Sequence, residues 1–556
     1  MGLQPLRDCF PVLFLVLAAK GSLDLETALK LTTCSLCVLI FLSAAVAATA
    51  APDWTALGNA WWAHIQYLAD DRLEGRGTGT EGFAKAADYV TDQFQKAGLQ
   101  PAGEHGFSQT VEFNVLQLDE ANSSLQITQA GKPVPFRFGE DGFLTTTPNP
   151  TPVDTQAVFI GYGLKIPEAN YDDFAGLDLK GKIAVYISGA PASVSSSVKA
   201  HYQSGEERRR NLAAAGAVGL ITIPNPKAEE VPWSRVAGAR FSQRMELRDA
   251  AGAPAPRFTL IVNPEHAEKI FSNSGHTFSE LLALLGSDKP LPHFPLNISV
   301  AANTAVKHST AQSQNLAGVL PGSDLQLKNE YVVISAHLDH LGIGQPVNGD
   351  KIYNGAMDDA SGIASLVEVA RAIRYSNLQP KRSILFLAVT AEEKGLLGSQ
   401  YYAAHPTVKG PIVADLNMDM YLPLFPLKYL EVQGLGESTL GDNITEICTE
   451  SGITVQADKQ PEHVRFIRSD QYSFIKKGVP SLAFKFGWLA GTPEEKLFND
   501  WYQDRYHGPA DDTSQPVDKT AAAKFDAILE KLALRVADAD SRPTWKPNSF
   551  FRRFAQ

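Results

Sequence analysis

The sequence predicts an α/β fold: three layers, with helices on both faces of a mixed, mostly parallel sheet, and a β-rich segment set into it. Three observations carry this. Short apolar runs at 331–336, 383–389, 412–418 and 480–484 alternate with helical patterns at 361–374, 395–405 and 520–537. Alternation of this kind implies parallel strands covered by helices. Residues 150–300 change character, to short β-segments separated by turn signals. Finally, 556 residues suffice for a large core and two or three domains.

Taken in order, residues 54–100 read as helical. Trp61, Ile65 and Leu68 share one face, and Ala84, Ala87, Tyr89, Val90 and Phe94 recur at helical spacing. Between them, Gly75-Arg76-Gly77-Thr78-Gly79 has the glycine density of a phosphate-cradling loop. No strand precedes it and no Lys-Ser/Thr follows, so it reads as a connector. Strand patterns follow at 107–115 and 124–128, then at 157–160 and 182–187. A charged amphipathic helix at 205–215 leads into an apolar strand at 218–223. In the helical pattern at 361–374, Ile363, Leu366, Val367, Ala370 and Ile373 form one stripe. The expected organisation is a leader at 1–50, core-domain segments at 51–150 and 301–545, and a separate module at 151–300.

Composition excludes some functions. The chain is 44% hydrophobic and 20% charged, as soluble globular proteins are. A net charge of -11 without a basic run makes it a poor nucleic-acid binder. Residues 33–51 are nearly all apolar or small, follow Lys30 and contain Ala48-Thr49-Ala50 near their end. That is a signal-peptide pattern and predicts export, periplasmic or secreted, with no membrane span after cleavage. An uncleaved N-terminal anchor is the alternative. A second apolar run at 10–19 precedes it, and a well-formed leader would begin at Leu29, so residues before it read as an upstream extension. Cleavage would leave Cys448 as the only cysteine and no internal disulfide.

The chemistry lies just after the apolar runs, where ligands of such sheets bind. His337 ends the first, and Asp339 stands ready to accept its other ring N–H and fix the tautomer. Asp358-Asp359 precedes a helix; one aspartate suffices for a cap, and Asp358 is the candidate to bridge two cations. Glu392-Glu393 follows the second run. Glu393 would bind metal, while Glu392 would take a proton from the attacking water and deliver it to the leaving amine. Asp419, flanked by methionines, reads as a terminal ligand. His507 would complete the set, with Asp511 as its partner and the Tyr506 hydroxyl placed to hydrogen-bond an oxyanion. Two imidazoles and three carboxylates suit a pair of divalent metals with one shared ligand. These residues alone leave open which imidazole shares a metal with Glu393.

With these motifs the chain resembles the M28 family of co-catalytic zinc aminopeptidases, in the form that carries an inserted protease-associated (PA) domain. Leu73-Glu74-Gly75-Arg76-Gly77-Thr78-Gly79 is similar to the family's N-terminal segment. Gly161-Tyr162-Gly163 with Asp178-Leu179-Lys180-Gly181-Lys182 is similar to the PA insert. His337-x-Asp339, Asp358-Asp359-Ala360-Ser361-Gly362, Glu392-Glu393, Asn417-Met418-Asp419-Met420 and Tyr506-His507 match the peptidase motifs in order. The resemblance implies two Zn2+ ions, one held by His507 and Glu393 and the other by His337 and Asp419, with Asp358 between them. It implies Glu392 as general base and peptides with a free N-terminus as substrates. One departure is Gln471, where many relatives have His; it bears on pocket specificity.

Competing readings differ in what they need. A carboxypeptidase of the same architecture would hold a C-terminal carboxylate with an arginine clamp, for which Arg76, Arg465 and Arg468 are candidates. Glutaminyl cyclisation ranks lower, because the PA insert is foreign to it. A non-enzymatic binding protein would be expected to have lost ligands. A serine hydrolase lacks its G-x-S-x-G elbow here. Phe466, Tyr472, Phe474 and Phe486 are candidates for an apolar pocket, although such aromatics are commonly core.

Overall fold

The computed structural model describes residues 51–249, 255–287, 289–376 and 378–555. The expected leader, its upstream extension and Cys9, Cys34 and Cys37 lie outside the described residues. Among those described, no helix is long and apolar enough to cross a membrane.

A ten-stranded mixed sheet organises the larger part of Trp54–Gln556. Its centre is four parallel strands, in the spatial order Ser383–Val389, Tyr331–His337, Ile412–Asn417 and Ser481–Gly487. These runs are rich in apolar residues because both faces are covered. Val332, Ile334, Ile384 and Phe386 face one core; Val333, Leu385, Leu387 and Val389 face another, with Tyr402 and Phe474. Period-two alternation thus serves two helical layers. Helices Trp54–Leu68, Ser361–Tyr375 and Lys519–Asp538 pack on the first face, and Leu397–Ala404 and Gln471–Ile475 on the second.

From Tyr331–His337 the chain moves to one neighbour, Ser383–Val389, and then to the other, Ile412–Asn417. The order reverses at His337, and a crevice opens beyond the carboxyl ends of these strands. Antiparallel strands extend both edges: Val306–Leu320, Ser108–Leu118 and Arg244–Leu247 on one side, and Tyr429–Gln433 on the other.

A second, eight-stranded sheet has its own apolar core. Val153–Ile160, Ile183–Ile187, Gly219–Ile223 and Phe258–Val262 run parallel at its centre. The chain passes between the sheets four times: from Ser108–Leu118 into Ser124–Gln129, from Gly219–Ile223 out to Arg244–Leu247, from there into Phe258–Val262, and from His293–Asn303 back into Val306–Leu320. The second sheet therefore takes in strands from Ser124 onward, ahead of the boundary at 150 that composition suggests. Composition registers the parallel centre and not the antiparallel flank. Arg244–Leu247 lies within the expected module yet pairs with Ser108–Leu118 in the main sheet.

Glu230, which follows the strand Gly219–Ile223 of the second sheet, is tied to the segment ahead of Gln471–Ile475. Its carboxylate contacts Arg465 Nη2 and Arg468 Nη1, each at 2.6 Å. Burial opposes its ionisation, but Arg468, Arg465 and His463 prevail and hold the group at about 2, below its ordinary 4.5. A depressed folded value contributes stability above the unfolded pKa, lost as pH falls from about 4.5 towards 2. The stabilisation is on the order of 3 kcal/mol. Glu230→Gln is expected to flatten the acid limb of a stability–pH profile from urea unfolding; an unchanged limb argues against this.

Candidate metal centre

Each residue of the centre is delivered by a strand end or by a loop pinned nearby. His337 closes its strand and is 1% exposed. Its Nε2 lies 3.2 Å from Asp358 Oδ1 and 3.7 Å from Asp419 Oδ1. On the other side of Asp358, Oδ2 lies 3.3 Å from His507 Nε2, which is also 3.3 Å from Glu393 Oε2. The five sequence-nominated groups thus meet, with Asp358 between two clusters. Glu392 lines the same cavity, as do Glu393, Asp419, Tyr506 and His507.

The supporting contacts differ from the expected ones. His337 Nδ1 meets the Asp339 backbone carbonyl at 3.0 Å, not its carboxylate. The Asp339 carboxylate instead accepts from the Thr78 hydroxyl at 2.8 Å and the Glu392 amide at 3.1 Å. Asp511 does not partner His507. It accepts the amides of Met357 and Asp358 at 2.9 and 3.0 Å and so shapes the turn that presents Asp358. In both cases sequence proximity fixed the neighbourhood and the backbone's turn fixed the direction. Asp359, fully buried, joins three segments by accepting the amides of His337, Gly362 and Met420. A Cβ at Gly362 would stand 2.4 Å from that carboxylate, so glycine is required there.

His340 was not legible as part of the set. It is fully buried, with Nδ1 2.8 Å from Glu393 Oε1 and 3.8 Å from Asp358 Oδ2. His340, Asp358 and Glu393 are grouped closely enough to share one ion, as are His337, Asp358 and Asp419. The available signal was His340 following Asp339 at the same strand end. Lys485, buried in its strand, donates to the carbonyls of Asp419 and Met420 at 2.8 and 3.0 Å and anchors that loop.

Backbone geometry is unusual beside the cluster. Ala391, Met420 and His507 take left-handed φ values of 55°, 45° and 52°. Non-glycine residues in this region cost about 1 kcal/mol or more each and gather at functional sites. Arg235, from the segment that follows Gly219–Ile223, supports one of these loops: its Nη1 donates to the Tyr506 carbonyl at 2.5 Å.

The side chains fit divalent cations. His337 Nε2, both His340 nitrogens, Asp358 Oδ2, Glu393 Oε1 and Asp419 Oδ1 are buried without a hydrogen-bond partner, and most face one another. Carboxylates outnumber imidazoles. Burial disfavours protonation of His337, yet Glu392, Asp358 and Asp419 hold it well above the usual histidine range. Burial pushes Glu392 far above the usual carboxylate range; His337 opposes, and Asp419 and Glu393 reinforce. Such an excess of buried negative charge calls for positive charge at its centre.

Residues 315–533 match the model of peptidase family M28. That segment holds all five metal candidates, Glu392 and His340. Among curated relatives, the chain is 26% identical over 274 residues to probable leucine aminopeptidase 2 of Aspergillus oryzae (strain ATCC 42149 / RIB 40), covering 47% of this chain and 52% of that one. It is 36% identical over 123 residues to Carboxypeptidase Q of Xenopus laevis, covering 22% of this chain and 24% of that one. The chain thus spans about half the length of the first and a quarter of the second. The solved aminopeptidase from Aneurinibacillus sp. strain AM-1 shares the fold, with a TM-score of 0.52 at 19% identity, over 89% of this chain and 97% of that one.

The remaining candidates are disposed of by the M28 segment's packing. Gln471 is fully buried; its amide receives Asn417 and donates to the Phe466 carbonyl, each at 2.8 Å, away from the cavity lining. Of the four aromatics, Tyr472 lines the cavity, while Phe466, Phe474 and Phe486 are core.

Proposed function

We propose that this chain is a dizinc metallopeptidase that removes the N-terminal residue of peptides. The observation that carries the reading is the convergence of buried, unpartnered ligand atoms on the two sides of Asp358. His337 and Asp419 would hold one Zn2+ and His507 and Glu393 the other, with His340 as a further imidazole on the Glu393 side. Bound there, the cations would polarise the scissile carbonyl and acidify water. The reading includes the second sheet as a protease-associated module and export through the leader at 1–50.

The chain's own groups do the rest. Glu392 accepts a proton from the attacking water at its carboxylate and passes it to the departing amine. Burial keeps the Tyr506 hydroxyl far above the usual phenol range, so it retains its proton. That hydroxyl accepts from Arg468 Nη2 at 3.2 Å, which leaves its own hydrogen free for a developing oxyanion. The acidic cluster favours a substrate's ammonium end.

The relatives' names point to both ends of a peptide, and the arginines favour the N-terminal reading. Arg76 is spent on backbone carbonyls and Arg465 on Glu230. Arg468 pairs with Glu230 and donates to the Tyr506 hydroxyl, so none of the three candidates is free to clamp a C-terminal carboxylate beside the metals. Metal analysis is expected to find two equivalents in the protein and fewer after Asp358→Ala. N-acetylation of a test peptide is expected to abolish cleavage. Sequential release of C-terminal residues from the acetylated peptide would reverse the direction.

A further inference from the structure

The catalytic cleft has a basic end. Its cavity, of about 930 Å³, runs from Asp358, Glu392 and His507 to Arg209 and Arg244. Those two arginines also line an adjoining recess of about 150 Å³, with Thr147, Tyr186 and Arg208. Arg208 is only 8% exposed, and its Nε and Nη2 have no hydrogen-bond partner. Its Nη1 makes one long bond, 3.3 Å, to the Gln203 carbonyl. The guanidinium lies 4.7 Å from the centre of the Tyr186 ring, which supports one face. The buried Thr147 hydroxyl also lacks a partner.

Nearby carboxylates form their ion pairs with cations other than Arg208 and Arg209. Glu246 pairs with Arg244 and Glu206 with Lys476, each at 3.1 Å. Glu207 pairs with Arg210. Burial and the like charge of Arg244 depress Arg209 below its ordinary value. A guanidinium taken from water without a counter-ion is costly. Here the buried Arg208 and the half-buried Arg209 line one recess, and a planar, bidentate anion is the ligand a guanidinium's shape fits.

We propose that Arg208 and Arg209 bind the C-terminal carboxylate of a short peptide whose N-terminus lies at the metal centre. This rests on the aminopeptidase reading above. The recess opens on the hydrolytic cleft, so its anion belongs to the substrate, and every peptide carries one such group at a fixed remove from its N-terminus. The pair therefore acts as a length filter. Peptides that just span the cleft gain the contact, and shorter or longer ones do not.

The test uses the full, zinc-loaded chain and neutral peptides of graded length, each as free acid and as C-terminal amide. At one length kcat/KM is expected to favour the acid by about tenfold or more. Arg209→Gln should bring that ratio close to unity and Arg209→Lys should restore part of it; Arg208→Met serves as a second variant. Equal rates for acid and amide at every length overturn the proposal. So does a preference that follows an internal glutamate instead of the C-terminus. Independently of turnover, an N-acetylated peptide acid should bind the metal-free protein about tenfold more tightly than its amide in calorimetry. Equal affinities there sink the subsite whichever end the enzyme cleaves, whereas failure of the N-acetyl test alone sinks only the direction of cleavage.

Discussion

Glu392→Gln is expected to retain both metals and to lose peptide hydrolysis by about 10²–10⁴-fold. The amide matches the carboxylate in size but cannot accept a proton. The Glu392 backbone amide is held by Asp339, so the chain path should survive the change. Neither of the compact ligand groups includes Glu392. Metal content by elemental analysis and kcat on an aminoacyl reporter form the necessary pair of measurements. Turnover like that of the parent protein would remove Glu392 from the mechanism; loss of metal would make it a ligand.

Arg76→Met is expected to destabilise the protein by about 3–5 kcal/mol and to lower its metal affinity. Arg76 is fully buried, at the end of the short helix Asp71–Arg76 and within the glycine-rich connector. Its guanidinium donates to the carbonyls of Leu338 at 3.0 Å, Leu68 at 2.6 Å, Asn354 at 2.5 Å and Gly355 at 3.0 Å. Leu338 follows His337, and Gly355 opens the turn that carries Asp358. One side chain thus fastens a helix and two ligand-bearing loops. Methionine fills the volume but takes the guanidinium donor from the carbonyls of Leu338, Leu68 and Asn354, and leaves Gly355 with the Ala360 amide. Lysine offers fewer donors and no planar fork, so Arg76→Lys should recover little. Gly75 makes the approach possible: its φ is 67°, and a Cβ there would lie 2.2 Å from the Tyr353 carbonyl. Urea unfolding and zinc titration of the variant check both claims, and a midpoint equal to the parent's refutes the first.

Much of the catalytic half was readable because burial on both faces leaves a plain trace. The runs at 331–336 and 383–389 are apolar but for one serine each, and a charged group directly after such a run needs a reason to be there. That logic nominated His337, Glu392, Glu393 and Asp419, and the structure gathers them with Asp358 and His507. It missed His340, because one imidazole beside another carries no periodic signal. It also misjudged Asp339 and Asp511, whose carboxylates turn to backbone amides. The second sheet was half visible, through the apolar runs of its parallel centre and not through its flanking strands.

Residue order alone determined the alternation of strand and helix, the chemical types after each strand and hence the class of ligand they suit. These follow from local periodicity and side-chain chemistry, which act over a few neighbours. Only the tertiary structure decided where each side chain points, that Arg76 serves the fold and not a substrate, and that two arginines from the second sheet's side reach the same cleft. Those outcomes depend on contacts between segments up to hundreds of positions apart, and no local pattern records the direction from which a distant backbone arrives.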